Sequence, residues 1–144
     1  MGKKTKVVID NNVLVSAFGW HGNPGEVVRL ATTGKIANFT SMEMLSELAR
    51  VVSYPKLRFP ESLQAEIIET VFTSSSLANV SEPLRVINSD LADNRVLECA
   101  VAASVDFIIS GDKHLLALKR FRDIEIVTPE DFLLKTGWAE KRGK

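Results

Sequence analysis

The chain has 144 residues, 45% hydrophobic and 25% charged, a size and balance that predict one ordinary globular domain and exclude disorder, collagen and coiled coil as the main state. Its 18 basic and 18 acidic residues cancel, which disfavours a heavily basic nucleic-acid binder and leaves any polyanion to a local basic rim or to metal ions. The one cysteine, Cys99, excludes an intrachain disulfide and argues against a structural zinc cluster.

In chain order, the basic stretch Lys3-Lys4-Thr5-Lys6 leads into Val7-Val8-Ile9, a β-branched run that reads as a buried strand ending at Asp10. That apolar run is too short for a signal peptide, and the longest one, Cys99 to Val105, is too short to span a bilayer. A cytoplasmic protein without a membrane partner is expected. Asn11-Asn12 suits a turn, and Val13 to Phe18 a short helix or further buried chain. Gly19 to Gly25 reads as a loop by composition. Pro24 then suits the first turn of a helix reaching Thr33, with Gly34 as its stop. Ile36 to Phe39 is a second strand. Thr40-Ser41-Met42-Glu43 has capping-box spacing, with Thr40 as N-cap of a helix to Val52. Met44, Leu48 and Val51 share one face of it, and Glu47 sits at the edge of that stripe.

Pro55 and Pro60 bracket a loop, and Ser62 to Ser74 is a helix with Leu63, Ile67 and Val71 on one face. Leu77 to Val80 is a third strand. Asn88 to Asp93 is a polar turn before a helix from Asn94 to Ser104, whose apolar face is Val96, Leu97, Ala100 and Ala103. Carried backwards, that period puts Asp93 over the same face. Phe107-Ile108-Ile109 is a fourth strand, followed by Ser110-Gly111-Asp112. Leu115 to Leu118 is a helical turn, Ile124 to Val127 a fifth strand, and Thr128-Pro129-Glu130-Asp131 opens a last short helix. Residues 138–144 read as a frayed tail. Short apolar strands alternating with amphipathic helices indicate an α/β fold, a mostly parallel sheet of four or five strands covered on both faces. Sites in such sheets lie beyond the carboxyl ends of the strands.

Four acids fall where such a site would form. Asp10 directly follows the first strand and Asp112 follows the fourth. Asp93 opens a helix on its inward side, and Glu47 flanks an apolar stripe. Carboxylates brought together raise one another's pKa and oppose folding. A hard divalent cation such as Mg²⁺ or Mn²⁺ removes that conflict and can activate water and polarise a phosphoryl oxygen. Each acid also has an ordinary structural role open to it: helix cap for Asp93, turn or cap for Asp112, solvated helix residue for Glu47. Asp10 has the fewest such roles, because an acid ending an apolar strand is costly unless satisfied.

At these residues the sequence resembles the PIN-domain nucleases. The matching segments are Val8 to Ser16, Ser46-Glu47-Leu48, Asp90-Leu91-Ala92-Asp93-Asn94 and Ile109-Ser110-Gly111-Asp112-Lys113. The resemblance runs from Lys6 to about Leu134, within one PIN-like domain over residues 1–144, and is strongest to toxins of prokaryotic toxin–antitoxin pairs. It implies a three-layer α/β/α sandwich and an endoribonuclease using one or two Mg²⁺ or Mn²⁺ ions. Asp10, Asp93 and Asp112 would ligate metal, with Glu47 completing the acidic cluster. Asn12 and Ser16 would orient Asp10 or contact substrate, and Ser110 would support Asp112. It also implies single-stranded RNA as substrate, a cognate antitoxin as partner, and a homodimer. Asn11, His114 and Ala92 depart from the family pattern, standing for Thr, an acid and an acid.

Lys113, His114, Lys119, Arg120 and Arg122 offer a basic rim, though a solvated face explains them equally. Trp20 and His21 suit base stacking less well than loop packing, and His114 reads as a surface residue rather than a ligand. Ser16, Ser110 and Cys99 lack an evident neighbouring base, so covalent catalysis is not favoured. A catalytically silent RNA- or protein-binding module and a housekeeping RNA-processing nuclease are the alternatives. Phosphoryl transfer of the dehalogenase type is disfavoured, because Asp10-Asn11-Asn12 lacks a second acid. P-loop and Rossmann motifs are absent.

Overall fold

The computed structural model describes residues 3–88 and 90–139. In chain order the elements are β1 (Lys6–Ile9), α1 (Asn11–Trp20), α2 (Gly22–Thr32), β2 (Ala37–Thr40), α3 (Met42–Val52), a 3₁₀ turn (Pro55–Leu57), α4 (Glu61–Ser74) and β3 (Ser75–Leu77). There follow α5 (Leu91–Ala103), β4 (Phe107–Ile109), α6 (Lys113–Leu118), β5 (Arg120–Phe121), β6 (Ile124–Val127) and α7 (Pro129–Lys135). The strands form one sheet in the order β3-β2-β1-β4-β6-β5. All pairings are parallel except the edge pair β5–β6.

The period-two alternation of the central strands builds two cores. Val7, Ile9, Ile109 and Val127 face one side and pack with α1, α2, α4 and α7. Val8, Ile108, Ile124 and Ile126 face the other and pack with α5 and α6. Helix α3 contributes to both, with Leu45 and Leu48 in the first core and Met44 in the second. The sheet thus lies between two helical layers. From β1 the chain steps outward through β2 and β3, then returns to place β4 against the other side of β1. The strand order therefore reverses between β1 and β4, where an open parallel sheet leaves a crevice beyond its carboxyl edge.

Several local expectations need correction. The sheet has six strands among the described residues rather than four or five, because β5 is two residues long and carries no readable period. The Gly19–Gly25 segment is helical on both sides of His21, and the positive φ of His21 (66°) and Gly22 (63°) breaks α1 from α2. Burial of Val13, Leu14, Ala17, Val27 and Val28 outweighs the weak helix propensity of glycine and asparagine there. For the same reason Asn11-Asn12 starts a helix instead of making a turn. The N-cap of α3 is Ser41, whose Oγ accepts from the Met44 N–H at 3.2 Å, and not Thr40, which ends β2.

The third strand is Ser75–Leu77 rather than residues 77–80. Asn38 sets its position by donating from Nδ2 to Ser75 Oγ at 2.8 Å while accepting from the Ile9 N–H at 2.9 Å. Helix α5 starts at Leu91, not Asn94, because Asp90 is its N-cap. Of the expected frayed tail, residues 140–144 lie outside the described residues, as does Ser89 in the polar turn. Trp138 and Ala139 instead pack on the first core.

The stretch from Ala78 to Asn88 has no regular structure, yet it is pinned to α5. Buried Asn94 accepts at Oδ1 from the N–H groups of Val86 and Ile87, each at 2.9 Å, and donates from Nδ2 to the Ile87 carbonyl at 2.6 Å. Glu98 Oε2 accepts from the Leu84 N–H at 2.8 Å. These side chains replace the ladder that a strand would have supplied. Asn94→Ala is expected to cost about 2 kcal/mol, since it strands buried backbone groups. Urea unfolding with amide exchange measures this; protected Val86 and Ile87 amides and an unchanged midpoint in the variant would sink the account.

Candidate functional site

The crevice beyond β1 and β4 is an acidic cleft of about 530 Å³. Asp10, Glu47, Asp93 and Asp112 all line it, each from a different element, and Asn12 lines it too. Asp10 follows β1 directly. Its N–H donates to the Ile109 carbonyl at 2.9 Å, so the last rung of the central sheet holds it in place. Its carboxyl is 8% exposed, and Ser110, wholly buried, donates from Oγ to Asp10 Oδ2 at 2.7 Å. The same Oγ accepts from the Asp112 N–H at 2.9 Å. Ser110 thus ties the loops after β1 and β4 together, which puts its support on Asp10 as well as on Asp112.

Asp112 caps α6 through Oδ1, which accepts from the N–H groups of His114 and Leu115 at 2.8 and 3.1 Å. The capping role open to it is therefore real, and it coexists with a place in the cleft. Asp93 does not cap α5. Asp90 does, accepting from the Ala92 N–H at 3.0 Å. Asp93 sits in the first turn, 5% exposed, and its Oδ2 is buried with no hydrogen-bond partner. Glu47 lines the cleft from the middle of α3 and is half committed elsewhere, to Arg50 at 2.5 Å.

Electrostatics register the crowding. Burial pushes the Asp10 carboxyl up from 3.8 to about 6, against the lowering effect of the Ser110 bond. Asp93 is held well above the usual carboxylate range, first by burial, then by the charges of Asp112 and Asp90, by a side-chain hydrogen bond with Asp112 that favours its protonated form, and last by the charge of Asp10. An unpaired buried carboxylate oxygen among like charges is a standing cost, which a cation would remove.

Other expectations divide. Ser16 and Lys113 are not among the residues lining the cleft; Ser16 lies half-buried on α1 and Lys113 is exposed at the start of α6. Of the proposed basic rim, Arg122 is occupied by Glu82 at 2.9 Å, and none of its members lines the cleft itself, although His114 reaches its edge beside Asp93 and Asp112. The cations that do are Arg50 and Arg95. Sequence reasoning missed them, along with Glu43, because single residues on helix faces carry no local pattern. The one signal lay in phase, Arg50 being three residues past Glu47 on the same helix face, whereas Arg95, two past Asp93, has none. Trp20 is 66% exposed and leans on Phe59 at 6.4 Å between ring centroids, away from the acids. Burial pushes the Cys99 thiol up to about 12 and leaves it inert. Asn11 donates from Nδ2 to the Met44 carbonyl at 2.9 Å, so its amide performs the tethering expected of a hydroxyl.

His114 is where the structure departs most from the sequence reading. A ring nitrogen of His114 and one carboxylate oxygen each from Asp93 and Asp112 all lie within 4.8 Å of one another.

Comparison with known proteins agrees with this geometry. Residues 6–114 match the family model described as PIN domain. An uncharacterized protein of Methanocaldococcus jannaschii is 32% identical over 141 residues, covering 90% of each chain. No helix of the described residues is long and apolar enough to cross a membrane. The matched span, the mostly parallel α/β sandwich and the acids gathered at its strand ends all point to a nuclease-type function, and the chain belongs to the PIN-domain family.

Proposed function

We propose that the chain is a metal-dependent endoribonuclease, with Asp10, Asp93 and Asp112 as ligands of Mg²⁺ or Mn²⁺ and Glu47 completing the acidic set. The observation that carries the reading is the buried, unpartnered Oδ2 of Asp93 in a cleft lined by carboxylates from four separate elements. The donor set fits the group: oxygen ligands suit hard divalent cations. When bound, such an ion polarises a phosphoryl oxygen, lowers the pKa of water and spreads the charge of the leaving oxygen.

The chain's own residues hold the parts in place. Ser110 fixes Asp10 and the Asp112 backbone in one network. Capping bonds fix Asp112 Oδ1. Arg50 on α3 and Arg95 on α5 line the same cleft, paired with Glu47 and Glu98, and a phosphate backbone that the carboxylates would otherwise repel can compete for both cations. Neither Ser110, wholly buried and bonded to Asp10, nor Cys99, whose thiol is held neutral, is placed for covalent attack, which favours direct hydrolysis. What supports a toxin role, a partner antitoxin and a homodimer is the resemblance of the four motif segments to toxin components.

The test is cleavage of 5′-labelled single-stranded RNA by metal-free protein, with and without added Mn²⁺ or Mg²⁺. Internal cuts that require the ion are expected. Metal binding without any cleavage would favour the binding-module reading instead. Arg95→Ala is expected to weaken RNA binding and to lower the slope of log affinity against log salt by about one. An unchanged slope would remove Arg95 from the phosphate path.

A further inference from the structure

The metal reading above assumes ligands that are all oxygen, as the family pattern implies. This chain places a nitrogen among them. His114 follows Asp112 by two residues, and the capping bond from its own N–H to Asp112 Oδ1 at 2.8 Å anchors its backbone beside that carboxylate. Its Nδ1 lies 3.8 Å from Asp112 Oδ1. With Asp93 it completes a group of three ligand atoms mutually within 4.8 Å, a spacing that one cation at ordinary ligand distances can bridge. The Asp93 carboxylate of this group has an Oδ2 that is buried with no hydrogen-bond partner. The ring is 44% exposed and its backbone is tied down, so it is free to rotate toward an ion without unpacking the core.

We propose that His114 is a direct nitrogen ligand of the catalytic cation, together with Asp93 and Asp112, and that it shifts the site's preference from Mg²⁺ toward Mn²⁺. This rests on the metal-dependent reading of the cleft. The chemistry is that of ligand softness. Mg²⁺ takes oxygen ligands in rigid octahedral geometry and keeps its waters. Mn²⁺ shares the taste of Mg²⁺ for oxygen but stands at the start of the transition series along which affinity for nitrogen ligands rises, so it accepts one imidazole more readily than Mg²⁺ does. One imidazole in place of a carboxylate also removes a negative charge from a crowded site, which lowers the purely electrostatic attraction on which Mg²⁺ depends.

The experiment uses the full chain, loaded with Mn²⁺, and pulsed electron paramagnetic resonance. Wild type is expected to show ¹⁴N modulation from a directly bound imidazole. His114→Ala is expected to lose it, while His21→Ala keeps it; these are the two histidines of the chain. Calorimetric titration is expected to show His114→Asp lowering the ratio of Mn²⁺ to Mg²⁺ affinity by about tenfold or more, on the scale of lost ligand support. Mn²⁺ binding that depends on Asp93 but shows no ¹⁴N modulation would overturn the role of His114 and leave the metal reading standing. Binding that is absent, or indifferent to Asp93→Asn, would overturn both.

Discussion

Asp93→Asn should abolish metal-dependent cleavage and, in the metal-free protein at neutral pH, raise stability. Both effects have one cause. The Asp93 carboxylate is buried against Asp112, Asp90 and Asp10, and one of its oxygens has no partner. In the absence of a cation its ionised form carries desolvation and repulsion, relieved only when a proton is shared with Asp112. An amide of the same shape removes the charge, and so removes both that cost and the ligand. The expected loss of cleavage is at least about 100-fold, beyond what loss of a supporting group usually produces. Asp10→Asn should lose activity to the same extent, and its amide can still accept from Ser110. Cleavage rates with urea midpoints at pH 7.5 in a chelator read both properties. An inactive variant that is also destabilised would mean that Asp93 is structural and that the cleft does not strain the apo fold. An active one would remove it from the ligand set.

The metal-free protein should lose stability as pH rises from about 4 to about 7. Asp10 keeps its proton to about 6 in the folded chain against 3.8 in the free side chain, and Asp93 shifts in the same direction. Between those values the folded state binds more protons than the unfolded one, so the slope of stability against pH is negative. The stabilisation is complete below about 3.8 and gone once both groups have ionised. For Asp10 alone the change is on the order of 3 kcal/mol. Ordinary paired carboxylates give the opposite slope, so the sign is diagnostic. Added Mn²⁺ should reverse the trend above pH 7, because an ion that binds only the folded state stabilises it by mass action and displaces the protons. Urea titrations at pH 5, 6, 7 and 8, with chelator or with Mn²⁺, decide it. Stability that rises with pH in chelator would show that the acids are satisfied without an ion.

The four motif segments and the strand periods place Asp10 and Asp112 after strands and Asp93 and Glu47 on helices, and they indicate a covered parallel sheet. That information is local: an apolar run followed by an acid, a helix phase, a capping pattern. Asp10, Glu47, Asp93 and Asp112 were legible because each sits at a fixed offset from such a pattern. The extent of Gly19–Gly25 was not, because burial of the flanking α1 and α2 faces overrides weak propensity. Neither was β5, whose two residues are held only by pairing with β6. The cations of the cleft, Arg50 and Arg95, stand 45 positions apart in the chain, on α3 and α5, and only the fold brings them to one crevice. What the sequence by itself determined is the element order and the identity of the acids, since both depend on spacing along the chain. Only the tertiary structure decided which groups share the cleft, that Asp93 Oδ2 is left bare, and that the His114 ring turns back toward the acids. Those outcomes depend on the strand reversal between β1 and β4, which brings segments 100 residues apart into a single hydrogen-bonded network.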